Sequence, residues 1–323
     1  MKAKVAVIVL NWRNAADTLS CVESLLKSGN KDFQIIVCDN DSNDGSMQSF
    51  LDWSKFNTEH AQVFCISMFT PERDINTAFE KRIVWVETGA NLGFAGGNNV
   101  GVRFAQRFGK YDFFWFLNND CVVDVNALEA YLKYMALRPD VGICGAQLRY
   151  YHAPQFIQAY GGARHNIWTG RARYIGFMAD AGAIHDQALV ERTMSYVCGA
   201  SMFVRREFIE VVGLMQEDYF LYYEEIDWAV RGQGLFNLGY APDAIVFHKE
   251  GATIGSSSDS KKASSLSEFY LFRNRLLFTK KFFPVAAYTV RAVILFQVFK
   301  RIACGQIGRA FMIAKILFGK KKI

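Results

Sequence analysis

From residue 269 to residue 323 the sequence contains no Asp and no Glu. Twelve of the 37 Lys and Arg residues fall there, which leaves 25 basic against 31 acidic side chains in residues 1–268. The net charge of +6 is thus an acidic body joined to a tail of +12. An acidic body argues against a general nucleic-acid binder, whose cations must line the folded recognition face. The seven cysteines are odd in number and include no CxxC pair, so neither a disulfide framework nor a zinc site is expected, and a reducing cytosol fits best. The apolar run Val5 to Leu10 is too short for a signal peptide and no cleavage-like site follows it, so it reads as a buried first strand. Internal repeats are lacking. So is GxGxxG, because Gly93-Phe94-Ala95-Gly96 has the wrong spacing, which disfavours a dinucleotide dehydrogenase.

What is present is a large apolar reserve: 51% hydrophobic against 21% charged residues, enough for a sizeable core and unlike a disordered or coiled-coil chain. Short β-branched runs (Val5 to Leu10, Phe33 to Cys38, Ile83 to Glu87, Phe113 to Leu117) alternate with helical patterns around Thr18 to Lys27, Asn99 to Phe108 and Val125 to Leu137, the last with Asp124 as N-cap. That alternation predicts an α/β fold built of βαβ units around a parallel sheet. Residues 52–82 read as an insertion on the sheet edge, 160–183 as an excursion or lid, and 256–262 as a mobile polar loop.

In such sheets ligands bind beyond the carboxyl ends of the strands. There the chain places Asn11-Trp12-Arg13-Asn14, Asp39 to Ser46, Asn91 to Asn99 and Asn118-Asn119-Asp120. Any one of these is an ordinary turn by composition; four on one edge point to a site. Asp120 can bind a hard divalent cation, with His248, which follows the run Ala244 to Phe247, as a second ligand or else as a hydrogen-bonded structural histidine. Asp39 suits a nucleobase or ribose, or a turn cap. In Tyr223-Glu224-Glu225-Ile226-Asp227-Trp228, carboxylates crowded beside aromatics raise one another's pKa and suit a general base; the alternative is that acids favour a helix N-terminus.

As an ordered set, these strings resemble the family 2 glycosyltransferases of the GT-A fold, and more closely their rhamnosyltransferase-like branch. The matching residues are Val7 to Trp12, Val37 to Ser46, Asn91 to Asn99, Leu117 to Asp120, Cys198 to Met202, Tyr223 to Trp228 and His248 to Ala252. The resemblance implies a mixed sheet flanked by helices and an inverting, metal-dependent transfer of a sugar from a nucleoside-diphosphate donor. Asn11, Asp39, Asn91, Gly93, Asn98 and Asn119 would bind that donor. Asp120, of the family's D-x-D motif, and His248 would hold Mg²⁺ or Mn²⁺. Asn118 replaces the motif's first Asp. Glu225 would be the general base, with Glu224 and Asp227 as further candidates. The branch implies dTDP-L-rhamnose, with a UDP-hexose as the other donor. A non-catalytic nucleotide-sugar-binding subunit and a metal-dependent nucleotidyltransferase are the competing classes.

The reading divides the chain into a catalytic domain, 1–268, and a basic apolar helical tail, 269–323. Within the domain, 1–124 is the nucleotide-sugar-binding half and 125–268 the acceptor half. The tail holds two apolar segments, about Val285 to Ile302 and Ile307 to Phe318, with Arg291 interrupting the first and the second too short to span a bilayer. Either these helices pack on the domain and on each other, or they anchor the enzyme to anionic lipid. The anchor fits a lipid-linked saccharide acceptor for surface polysaccharide, and a cytoplasmic location, peripheral on the inner face of the cell membrane.

Overall fold

The computed structural model describes residues 4–56, 63–67, 82–108, 110–249 and 264–319. Strands β1 (Val5–Asn11), β2 (Phe33–Asp39), β3 (Val63–Ser67), β4 (Ile83–Glu87) and β5 (Phe113–Asn118) pair in parallel in the order β3-β4-β2-β1-β5. Val5, Val7, Val9, Ile35, Val37 and Trp115 enter one core layer; Ala6, Ile8, Ile36, Cys38, Phe114 and Phe116 enter the other. Burial on both faces is why these strands read as continuous apolar runs. The supposed insertion at 52–82 supplies the edge strand β3, and its remaining stretches, 57–62 and 68–81, lie outside the described residues.

Beyond β5 the sheet turns mixed. It adds β6 (Cys121–Val123), β7 (Val141–Tyr150) and β8 (Ala153–Tyr160). β9 (Gly162–Asn166), β10 (Arg171–Tyr174) and β11 (Tyr196–Val197) form a separate small sheet where a lid is predicted. β12 (Ser201–Arg205) runs antiparallel to β5 and β7, and β13 (Asn237–His248) runs parallel to β7 and antiparallel to β6.

Helices cover both faces. On one side lie α1 (Ala15–Leu26) and α4 (Ala127–Leu137), burying Cys21, Leu25, Leu128 and Tyr131; α2 (Ser46–Phe56) adds Phe50 to the same layer. Helix α4 starts two residues later than the Asp124 cap predicts, although Asp124 still accepts the Asn126 N–H at 2.9 Å. On the other side lies α3 (Gly93–Phe108), which begins six residues before the predicted Asn99. The stretch read as a glycine-rich loop is its first turns. A Cβ at Gly97 would come within 2.3 Å of Leu10 Cδ1, and one at Gly101 within 2.8 Å of Ile8 Cγ2 and Cys38 Sγ. These glycines let the helix lie close on β1 and β2, which offsets their poor helix propensity.

Two short helices, α5 (Gln187–Thr193) and α6 (Arg206–Val212), precede α7 (Glu224–Gly232). The basic tail folds as α8 (Ser265–Phe282), α9 (Ala286–Ala303) and α10 (Ile307–Phe318). They share a core of Phe272, Leu276, Val290, Ile294, Val298, Ala310, Ile313 and Ile316. Buried Glu268 pairs with Arg301 inside this bundle. On α9, Tyr288, Leu295, Phe299 and Ile302 lie on the face turned away from that core and are exposed, as are Phe311 and Phe318 on α10. One face packs inward while the other stays apolar in solvent, so the wheel looks apolar all round. Among the described residues no helix is long and apolar enough to cross a membrane.

Candidate active site

Register brings three strand ends together. Asn11 pairs with Asp39 across β1 and β2, and Leu10 pairs with Asn118 across β1 and β5. Asp39 is buried and accepts three hydrogen bonds: from Asn11 Nδ2 at 2.6 Å, Ser42 N at 3.1 Å and Ser42 Oγ at 2.5 Å. Asn11 Oδ1 accepts from Thr18 Oγ1 at 2.6 Å, and Thr18 Oγ1 accepts from Asn119 Nδ2 at 3.0 Å. A continuous buried polar chain therefore runs Asn119–Thr18–Asn11–Asp39. Nearby, Asn40 Nδ2 donates to Asn91 Oδ1 (3.1 Å) and to Gly93 O (3.0 Å), tying the β2 end to the start of α3. Asn98 Nδ2 donates to Phe94 O at 2.9 Å within α3. Gly93, at φ 71°, sits so close to the Phe220 carbonyl that a Cβ would lie 2.1 Å from its oxygen.

The Asn118-Asn119-Asp120 turn leads into β6, and β13 pairs His248 with Cys121. His248 Nε2 thereby lies 3.2 Å from Asp120 Oδ1, with His248 Nδ1 held 2.9 Å from Gln158 Oε1. Burial pushes the Asp120 carboxyl up, but the neighbouring His248 outweighs it and holds the group below the usual carboxylate range. Buried Asp120 Oδ1 faces His248 Nε2 without a well-aligned hydrogen bond to it, and a hard cation shared by the two atoms would satisfy both. Asp120, Cys121 and His248 offer ligand atoms within 4.8 Å of one another. Cys121 is a poor third ligand: its thiol donates to Ala200 O and burial drives its pKa far up. Of the last predicted string, Glu250 to Ala252 lies outside the described residues, as does the 256–262 loop.

Glu224 and Glu225 open α7. Before them runs a strained loop in which Phe220, Tyr222 and Tyr223 have φ of 63°, 66° and 78°. Asn274 of α8 holds that loop, donating from Nδ2 to the carbonyls of Tyr219 (2.8 Å), Leu221 (2.7 Å) and Tyr222 (3.0 Å). Glu225 lines a cavity of about 400 Å³ together with Tyr174, Tyr196, Tyr222 and Arg275. Burial pushes its carboxyl up to about 7, against the pull of its own N–H and that of Gly199. A Cβ at Gly199 would lie 2.4 Å from Glu225 Oε1. The next residue, Ala200, accepts the Asn118 N–H at 3.0 Å. One short turn therefore joins the Glu225 carboxylate to the Asp120 loop. Glu224 is more deeply buried, and its carboxyl is driven up by burial and then by the charge of Glu225.

Asp227 points elsewhere. Fully buried, it accepts from Tyr219 Oη at 2.9 Å, Arg231 Nε at 2.7 Å and Lys281 Nζ at 2.7 Å. Both its oxygens are taken up by this ionic knot. Ser42 entered the sequence reading only within the polar string Asp39 to Ser46, and Thr18, Asn274 and Arg275 entered it with no site role. For the last two a signal existed, the polar triplet Arg273-Asn274-Arg275 inside the apolar helical run Phe269 to Phe278.

The profile of the family described as "Glycosyl transferase family 2" matches residues 5–213. The low-salt glycan biosynthesis hexosyltransferase Agl10 of Haloferax volcanii is 23% identical over 250 residues, which span 74% of this chain and 71% of that protein. Among solved structures, the mannosyltransferase PcManGT from Pyrobaculum calidifontis, in complex with GDP-Man and Mn²⁺, superposes with a TM-score of 0.54. It is 13% identical, over 99% of this chain and 89% of its own. S. aureus TarS 1–349 with UDP-GlcNAc gives 0.51 at 12% identity, over 91% and 71%. These likenesses agree with the mixed, helix-flanked sheet, a GT-A architecture. The match over most of the chain settles its kinship: it belongs to glycosyl transferase family 2.

Proposed function

We propose that this glycosyltransferase inverts configuration as it moves a hexose from a nucleoside-diphosphate donor to a hydroxyl of a lipid-linked saccharide. The observation that carries this reading is the Gly199–Ala200 turn, which sets Glu225 beside the loop bearing Asn119 and Asp120. Glu225 takes the proton of the acceptor hydroxyl as its oxygen attacks the anomeric carbon, on the face opposite the departing diphosphate. A group titrating near 7 accepts that proton at physiological pH and can release it again. Asn11, Asp39, Asn91, Gly93, Asn98 and Asn119 position the donor. Asp120 and His248 hold a divalent cation, Mg²⁺ or Mn²⁺, which when bound offsets the charge of the leaving diphosphate. The likeness to enzymes solved with GDP-Man and Mn²⁺ or with UDP-GlcNAc supports such a donor and cation. A dTDP-L-rhamnose donor rests on the sequence resemblance alone.

In this reading residues 1–124 serve the donor and 125–268 the acceptor, although His248 joins Asp120 across that division. The exposed apolar face of α9 and α10, ringed by Arg291, Lys300 and Lys315, supports a peripheral site on anionic lipid at the inner face of the cell membrane. A panel of dTDP-, UDP- and GDP-sugars with Mg²⁺ or Mn²⁺ tests the reaction. Metal-dependent release of nucleoside diphosphate is expected. Release of pyrophosphate would indicate a nucleotidyltransferase, and donor binding with no turnover under any acceptor would indicate a non-catalytic subunit.

A further inference from the structure

The cavity holding Glu225 has a second charged wall. Arg275, on α8, is only 7% exposed, and no carboxylate among the described residues forms an ion pair with it. Its Nε is buried without a hydrogen-bond partner. Its stem packs on Gly170, where a Cβ would lie 2.6 Å from Arg275 Cγ, and its guanidinium carbon sits 5.1 Å from the centre of the Phe272 ring. A hydrogen bond links it to Tyr223, whose hydroxyl donates to Gly170 O at 2.6 Å. The side chain is thus held in place from three sides, yet its charge is unanswered.

The other ionisable groups of the cavity do not answer it. His165 is held down to about 4 by burial and by Arg275 itself, so it is neutral at pH 7. Arg171 adds a second cation, and Glu225, the one acid among the described residues that line the cavity, is half protonated near neutrality. A desolvated guanidinium without a counter-ion is costly, and its planar fork matches an oxyanion. Tyr174, Tyr196 and Tyr222 line the same space, where a sugar ring would pack against aromatic side chains.

We propose that Arg275, helped by Arg171, is a subsite for an oxyanion carried by the acceptor, a phosphate or a carboxylate adjoining the sugar whose hydroxyl is attacked. The proposal rests on the reading of Glu225 as the acceptor's base. Acceptor selection then depends on charge: a neutral sugar fills the aromatic cavity but leaves Arg275 unpaired, whereas an anionic one completes it.

Two experiments on the full chain keep these readings separate. Inorganic phosphate, without donor, should raise the unfolding midpoint of the wild type more than that of Arg275→Met, with Arg275→Lys in between. Equal shifts overturn the anion site whatever reaction the protein performs. The second experiment compares an alkyl glycoside, the matching alkyl glucuronide and the matching alkyl glycosyl diphosphate as acceptors. In the wild type, kcat/KM for one charged acceptor should exceed that for the neutral one roughly tenfold or more, the size of a charge-assisted hydrogen bond. That ratio should fall to near one in Arg275→Met and recover in part in Arg275→Lys; which charged acceptor wins names the oxyanion. Equal use of all three by the wild type, or an undiminished preference in Arg275→Met, overturns the proposal. A phosphate shift that depends on Arg275, with no transfer to any acceptor, upholds the site and sinks the transferase reading of this cavity.

Discussion

Lys281 Nζ, on the first helix of the basic tail, lies 2.7 Å from Oδ2 of the fully buried Asp227, on the helix that begins with Glu224 and Glu225. Residues 269–282 are therefore fastened to the catalytic body by charge as well as by packing. Asp227→Asn leaves Arg231 and Lys281 without their counter-ion. It is expected to cost about 2–3 kcal/mol, below the usual range for a broken buried pair because Lys281 is 41% exposed. Calorimetry should show the unfolding midpoint falling by roughly 3–5 °C. An unchanged midpoint would remove the anchoring role.

Glu225 gives a pH signature with a definite sign. A base that titrates near 7 is inactive when protonated, so kcat/KM should rise about tenfold per pH unit up to about 7 and then level off. Glu224, Tyr174 and Tyr196 are the titratable groups coupled to it, and all three are driven upward, so the acidic limb belongs to the Glu225–Glu224 pair. Glu225→Gln should lower turnover at least ~100-fold while leaving donor affinity intact.

Stability runs the opposite way. A folded-state pKa raised above the unfolded value means that the folded chain binds more protons between about 4.5 and 7. The stability from that proton is full below about 4.5 and is lost as pH rises through about 7. Glu225→Gln should therefore be more stable than the wild type at pH 8, by roughly 1 kcal/mol or more, in urea titrations. A less stable variant at that pH would show that the carboxylate is not under desolvation stress.

Gly199→Ala tests the turn between Glu225, the proposed base, and the Asp120 loop. The added Cβ would sit 2.4 Å from Glu225 Oε1, so the carboxylate must move. A displacement of about an ångström costs on the order of 100-fold in kcat, with donor KM little changed. Wild-type kcat in a well-folded variant would separate Glu225 from the reaction.

Charge reversal at Arg291, Lys300 and Lys315 tests the membrane contact more cleanly than truncation near Lys281, which would strip α9 and α10 from Phe272 and Leu276. Vesicles rich in anionic lipid should float the wild type. The triple reversal should bind more weakly by at least roughly 3 kcal/mol, about 1 kcal/mol for each attraction lost plus the repulsion each new acid adds. Equal flotation of both would rule the anchor out.

Strand ends were legible because an apolar run buried on two faces stops abruptly where it meets amides and acids, as at Asn11, Asp39 and Asn118. The start of α3 was not, since glycine is a poor helix former and only the nearness of Leu10, Ile8 and Cys38 explains its use. The bridging roles of Thr18 and Ser42 went unseen because bridging three strand ends is a property of register, not of local sequence. Asp227 read like its neighbours Glu224 and Glu225, and only its partners Tyr219, Arg231 and Lys281 tell it apart. Arg275 was absorbed into the tail's charge count and neutral Asn274 beside it was passed over, although amide and guanidinium groups amid Phe and Leu seldom sit idle.

The loop from Tyr219 to Tyr223 carries three non-glycine residues in left-handed conformation, each costing roughly 1–2 kcal/mol, and it keeps that shape under the grip of Asn274. Its conformation and the seating of α8 are thus two descriptions of one equilibrium. Coupling of that kind is reciprocal. On the proposed reading, whatever steadies the tail also steadies Glu225, and an acceptor that settles against Glu225 steadies the tail in return.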